Sequence, residues 1–215
     1  MTTQYRELDP DNDFALLARL FTTEMQDPTT EEGLREDYEK HKERILCLRI
    51  ATSEQGDVQG FNWLKRDRNE EQRAYFYVVV SPEHRHLGIG SWLYQEVEAV
   101  SLASAIRELR ASFPDTLPES RAFADKRGFT PISHSIGMQL ELEGIDLQPY
   151  LDLATELERQ GFEFTTMEAL GNTEADQHKL YQLNDITSSQ TMGSEGEHSW
   201  SSFEDFQQTV CQSDW

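Results

Sequence analysis

The sequence predicts an α/β domain built on a mixed, mostly antiparallel sheet flanked by helices. Three observations carry this. Strand-like and helix-like patterns alternate along the first two thirds of the chain. Two apolar runs, "ILCLRIAT" and "VQGFNWLKR", are joined only by the turn "SEQGD", which reads as an antiparallel hairpin. The most apolar run, "RAYFYVVV", ends at Ser81-Pro82 and gives way to an amphipathic helix pattern that starts near Gly88.

"YRELDP" at the start reads as a short strand running into a turn. In "DFALLARLFTTEM", Phe14, Leu17, Leu20 and Phe21 form a helical stripe. "TTEEGLREDYEKHKER" opens with the capping-box pair Thr29 and Glu32, so a second helix is expected. The hairpin and the central strand follow. Ile89, Leu93, Val97 and Val100 then share one face of the next helix. "IRELRASF" is expected as a strand, "PESRAFADKRG" as a short helix closed by Gly128, and "FTPIS" and "MQLELE" as the last strands. A first domain is thus expected over residues 1–144. Residues 145–215 restart the pattern, with a linker helix "LQPYLDLATELERQ", a strand in "GFEFTTMEAL", a helix "EADQHKLYQLNDITSS" and a last helix capped by Ser201 and Glu204. This order echoes that of the first 44 residues, so the tail is expected to be a partial second repeat, strand-helix-helix, of a larger two-domain or truncated protein.

The bulk numbers narrow the function. Among 215 residues, 40 are acidic and 19 basic, a net charge of -21. A nucleic-acid partner needs a basic footprint, and an anionic membrane surface needs one too, so neither is expected. The charge serves solubility, or draws in a cationic amine. Hydrophobic residues make up 37%, enough for a packed core. The two cysteines, Cys47 and Cys211, give no disulfide framework, and Cys47 in "ILCLRI" reads as a buried thiol. "MTTQYRELDP" has no apolar leader pattern and no run approaches spanning length, so a cytoplasmic protein is expected.

The stretch that carries chemistry is "VVVSPEHRHLGIGSWLYQEVE". A strand ends at Pro82 and a helix begins near Gly88. The first turn of a helix leaves N–H groups without partners, at the positive end of the macrodipole. Gly88 and Gly90 allow close backbone approach, and Arg85 adds a fixed cation. Together these make an anion seat, with His84 and His86 contributing charge only when protonated. The pattern is neither G-x-G-x-x-G, since position 93 is Leu, nor G-x-x-x-x-G-K-[ST]. Glu83, His84 and His86 lack a third ligand at helical spacing, so no metal is expected.

Val80 to Leu93, "V-S-P-E-H-R-H-L-G-I-G-S-W-L", resembles the acyl-CoA-binding motif of the GNAT N-acetyltransferase superfamily, and "FADKRGF" (123–129) resembles that family's segment before its last strands. The element order over residues 3–143 is similar too. The tail looks like the opening of a second repeat, as in tandem mycothiol-synthase-like members. The resemblance implies acetyl-CoA as co-substrate and a primary amine, on a small molecule or peptide, as acceptor. It implies a pyrophosphate held by the backbone at Arg85, His86, Leu87, Gly88, Ile89 and Gly90. The pantetheine arm would run along Val78, Val79 and Val80, with the acetyl carbonyl polarised by an N–H near Val79. Assembly as a homodimer is left open.

One departure matters. Where many members carry a tyrosine as general acid, four residues before the glycine of the "GF" segment, this chain has Ala124. Tyr75 and Tyr77 on the central strand are the candidates for that role. Glu83, or Glu24 and Asp27 farther upstream, are candidates for a base, which in this family often works through water. The rival expectation is a non-catalytic acyl-CoA-binding module in a tandem protein, which Ala124 favours.

Overall fold

A computed structural model of the protein describes residues 2–25, 29–68, 70–138, 140–190 and 202–211. The chain divides into two compact units, Met1–Phe129 and Thr130–Trp215.

The first unit is a five-stranded sheet with helices on both faces. Its elements run β1 (Gln4–Glu7), α1 (Phe14–Met25), α2 (Glu31–His41), β2 (Ile45–Thr52), β3 (Val58–Arg66), β4 (Arg73–Val80), α3 (Ile89–Ala103), β5 (Glu108–Arg110) and α4 (Pro118–Asp125). The strands lie in sequence order, antiparallel except for the last pair, β4 and β5, which is parallel. This is the mixed, mostly antiparallel sheet that the alternating patterns predict.

Side chains alternate across the sheet and build two cores. Phe14, Leu17, Phe21 and Leu34 of α1 and α2 pack on Leu48, Ile50, Phe61, Trp63 and Val79. On the opposite face, Leu64, Ala74 and Phe76 meet Tyr94 and Val97 of α3 together with Ile106. Ile89 and Leu93 of the same helix seat against Ala51. Asn62 lies fully buried between strand and helix. Its Nδ2 donates to the Leu93 carbonyl at 2.8 Å and its Oδ1 accepts from the Arg49 N–H at 2.8 Å. This fixes the height of α3 on the sheet, because removing either bond would strand a buried polar group. Cys47 is buried, as expected, and burial pushes its thiol pKa up.

The helix cap of α2 differs from expectation by one residue. Thr30, not Thr29, is the N-cap and accepts from the Gly33 N–H at 3.0 Å. Both threonines suit the position, and only backbone geometry chooses between them. Ser201, the other expected cap, lies outside the described residues.

The larger differences concern strands. "IRELRASF" yields only three strand residues, because the chain leaves β4 after Arg110, and Pro114 then has no N–H to give a ladder. "FTPIS", "MQLELE" and "GFEFTTMEAL" form no strand among the described residues. Alternating apolar residues state which face a strand would bury, but a strand also needs an edge to pair with. Ile132, Ile136, Met138, Leu140 and Leu142 instead remain exposed. In the second unit, α5 (Gln148–Arg159), α6 (Glu174–Ser189) and α7 (Phe203–Phe206) match the helical patterns. Thr173 caps α6, and Phe203 stacks on His178 at 3.6 Å. Among the described residues no helix is long and apolar enough to cross a membrane.

Candidate active site

The site is built at the end of β4. On one side β4 pairs with β3 without a register shift, from Gly60↔Val80 to Arg66↔Ala74. Just beyond both ends of that ladder, the Ser81 N–H donates to the Gln59 carbonyl and the Asp67 N–H to the Arg73 carbonyl. Antiparallel ladders bond alternate residues, so the N–H and C=O of Tyr75, Tyr77 and Val79 turn toward β3. Those of Val78 and Val80 turn to the other edge. On that edge β5 pairs only with Arg73, Ala74 and Tyr75. Beyond Tyr75 the two strands part, and the edge of β4 becomes one wall of a cleft.

The cleft has a volume of about 550 Å³. Val78, Val79 and Val80 line it along the strand, Arg85, His86, Gly88, Gly90 and Ser91 line it at the mouth of α3, and Leu117, Glu119, Phe123 and Ala124 close it from α4. Ala111, Ser112 and Phe113, the segment that departs from β4, form the far side.

The turn into α3 is held before any ligand arrives. The His84 Nδ1 lies 2.7 Å from the Ser81 hydroxyl, and the Arg85 N–H donates to the Pro82 carbonyl at 3.3 Å. Gly88 is the N-cap of α3, with φ 88°, a left-handed conformation that favours glycine. The Trp92 N–H donates to the Gly88 carbonyl at 3.0 Å, so the N–H groups of residues 89–91 point out of the helix end. At Gly90 an added Cβ would lie 3.5 Å from both Phe123 and Val80, ordinary contact with protein but directly in the cleft. Gly90 thus keeps the mouth of the cleft clear of a side chain.

Arg85 is the cation that lines the cleft at the mouth of α3. Its Nε donates to the Val80 carbonyl at 3.2 Å and its Nη1 to Glu119 at 2.9 Å. The other Glu119 oxygen is 3.9 Å from His86 Nε2. A carboxylate from α4 therefore sits beside Arg85 and His86 at the mouth of α3.

Not every candidate converges there. Leu87 is exposed and outside the cleft lining, and Ile89 is buried in the core, so these two offer backbone alone. The Arg85 N–H is engaged by Pro82, so the donors run from His86 onward. Val79 directs its N–H to β3, so near the expected position it is Val78 whose N–H faces the cleft edge. Glu83 stands exposed on the turn, 3.7 Å from His84, and lines neither cavity described here. The side chain of Glu24 and the whole of Asp27 lie outside the described residues. Ala124 does line the cleft, so the position is part of the site and carries only a methyl group.

The two tyrosines separate. Both project from the α1–α2 face of β4, into a second cavity of about 400 Å³ lined by Phe21, Leu34, Asp37, Trp63 and Lys65. Tyr77 also lines the cleft, whereas Tyr75 does not. Tyr77 is thus the side chain shared by the two spaces, with its ring 5.2 Å from Phe21, edge-on. The sequence singled out neither Glu119 nor the second cavity, since both depend on contacts between distant segments.

None of the curated proteins matches this chain. Solved structures do match in fold. A phosphinothricin acetyltransferase from Sinorhizobium meliloti, in complex with AcCoA, is similar with a TM-score of 0.53 and 21% identity, over 60% of this chain and 75% of that one. YncA, described as a putative acetyltransferase from Salmonella typhimurium with its cofactor acetyl-CoA, gives 0.52 and 17% over 60% and 80%. A glucosamine-6-phosphate N-acetyltransferase from Arabidopsis thaliana gives 0.50 and 15%, over 66% of this chain and all of that one. A sequence model of the acetyltransferase (GNAT) family matches residues 14–129, the stretch that holds β4, the turn into α3 and the α4 segment, and the chain belongs to that family.

Proposed function

We propose that the protein is an acetyl-CoA-dependent N-acetyltransferase that acts on a primary amine by direct attack. The observation that carries this reading is one cleft with two matched halves. An open strand edge at Val78 and Val80 can take the pantetheine amides as an added strand. At its end, the N–H groups from His86 to Gly90, with Arg85, offer a seat for the pyrophosphate. The strand-to-seat order is that of the co-substrate, thioester first and phosphates last.

In the proposed reaction the amine nitrogen, as free base, forms a bond to the acetyl carbon. The C–S bond breaks and the electron pair leaves on sulfur. The thiolate takes a proton to become CoA-SH, and the new amide nitrogen loses one to solvent. The Val78 N–H donates to the carbonyl oxygen as charge builds there, a contact worth about 3 kcal/mol when preorganised. Positioning supplies much of the remainder. Tyr77, at the boundary of both cavities, is the proton donor to sulfur in place of the missing side chain at Ala124.

A second reading, acyl-CoA binding without turnover, draws on Ala124 in the cleft wall. Acetyl-CoA with a panel of primary amines, followed by thiol release and by thermal shift, separates the two. We expect stabilisation and turnover. Stabilisation with no turnover of any amine would support the binding module, and no stabilisation would refute both.

A further inference from the structure

The second cavity has a chemistry of its own. Its walls are the side chains of Phe21, Leu34, Trp63, Tyr75 and Tyr77, and its polar end is the pair Asp37 and Lys65. Resting on the acyltransferase reading above, we propose that this cavity holds the acceptor, and that the acceptor is a primary amine on a flat, apolar body. That body carries a neutral hydrogen-bonding group and no phosphate or carboxylate.

Two observations lead there. The first is direction. Trp63 stands opposite Tyr77 on the β3–β4 ladder and Lys65 opposite Tyr75. The polar end is therefore two residues, about 7 Å, along the strand from Tyr77, which lines both spaces. An amine that reaches the thioester beside Tyr77 extends its body between aromatic side chains and ends at Lys65 and Asp37. The second is charge. Lys65 Nζ is 3.2 Å from Asp37, whose other oxygen is 2.8 Å from His41 Nδ1. The lining cation is already matched by a carboxylate, so an anionic substituent would meet Asp37 rather than an open seat. A protonated amine, by contrast, finds a carboxylate and aromatic faces on its way in. A neutral hydroxyl at that end can donate to Asp37 and accept from Lys65.

The test uses the full chain with acetyl-CoA and three probes: tyramine, 2-phenylethylamine and glucosamine 6-phosphate. Tyramine should have the highest kcat/KM, about tenfold above 2-phenylethylamine, which lacks the hydroxyl. It should exceed the phosphorylated amino sugar by about a hundredfold. Tyr75→Ala removes a half-exposed wall and should raise the KM for tyramine about tenfold, with kcat and the Kd for CoA unchanged. Equal or better use of glucosamine 6-phosphate overturns the inference, as does a Tyr75→Ala variant with an unaltered KM. CoA binding without turnover of either aryl amine also overturns it while leaving the CoA cleft in place. Failure to bind CoA overturns the proposed function itself.

Discussion

Glu119 holds Arg85 at 2.9 Å in the seat where a pyrophosphate would lie. Any anion that enters must displace this carboxylate, or share Arg85 with it, and like charges at such distances repel. Glu119→Gln should therefore tighten CoA binding about twofold to fivefold, measured by titration calorimetry, given the modest size of exposed ion pairs. S-acetylpantetheine, which has no pyrophosphate, should show no gain, and an equal gain for both ligands would refute the seat. Gly88 argues the same point from the backbone. At φ 88° a valine costs about 1–3 kcal/mol and realigns the first turn of α3. Gly88→Val should keep the fold by circular dichroism and lose CoA binding, and normal binding would sink the assignment. Arg85 and the two glycines are legible in the sequence because they are neighbours in a strand-turn-helix pattern. Glu119 is not, because it is 34 residues from Arg85. Nor can spacing separate Tyr75 from Tyr77, since both occupy the same face and only the departure of β5 gives Tyr77 a second exposure.

At the level of elements, the short pairing between β4 and β5 decides where the cleft opens. It is fastened by Glu108, which accepts from Arg73 at 2.9 Å and from Arg110 at 2.6 Å. The Arg73 hydrogen bond is the largest cause holding the Glu108 pKa below its ordinary value. A carboxylate lowered in the folded state contributes its stability above about pH 4.3 and loses it as the pH falls through the folded value. The pair is partly exposed, so the contribution is about 0.5 kcal/mol. Acid titration of the wild type should show this loss below about pH 4.3, and Glu108→Gln should flatten it. A Gln variant with the same acid limb would show that other carboxylates set it. The hairpin was readable because its strands are adjacent in sequence and its turn is short. The alternation in "MQLELE" and "FTPIS" was equally clear as a pattern and gave no strand, because pattern carries no information on whether an edge is available.

On the scale of the whole molecule, the unit that holds the cleft is itself acidic, with 24 acidic against 17 basic side chains over residues 1–129. Long-range repulsion slows the approach of CoA, and salt screens it beyond about 10 Å at 0.1 M. The association rate of CoA should therefore rise with ionic strength, while that of a cationic amine falls. Stopped-flow fluorescence at two salt concentrations checks both, and a CoA rate that drops with salt would place the local field of Arg85 above the global one. The class of fold was legible from composition and periodicity because they average over many residues. The exposed apolar residues after Phe129 were not anticipated, since a single sequence does not state which of its patterns find a partner.

The alternation along β4 gives neighbouring amides opposite fates. Val79 is sealed into the ladder with β3, and Val78 looks into the cleft. In deuterated buffer the two would keep different clocks: Val79 slow throughout, Val78 fast until a ligand lies along the edge. The strand thereby carries its own internal reference, one amide recording the stability of the fold and its neighbour recording occupancy of the cleft.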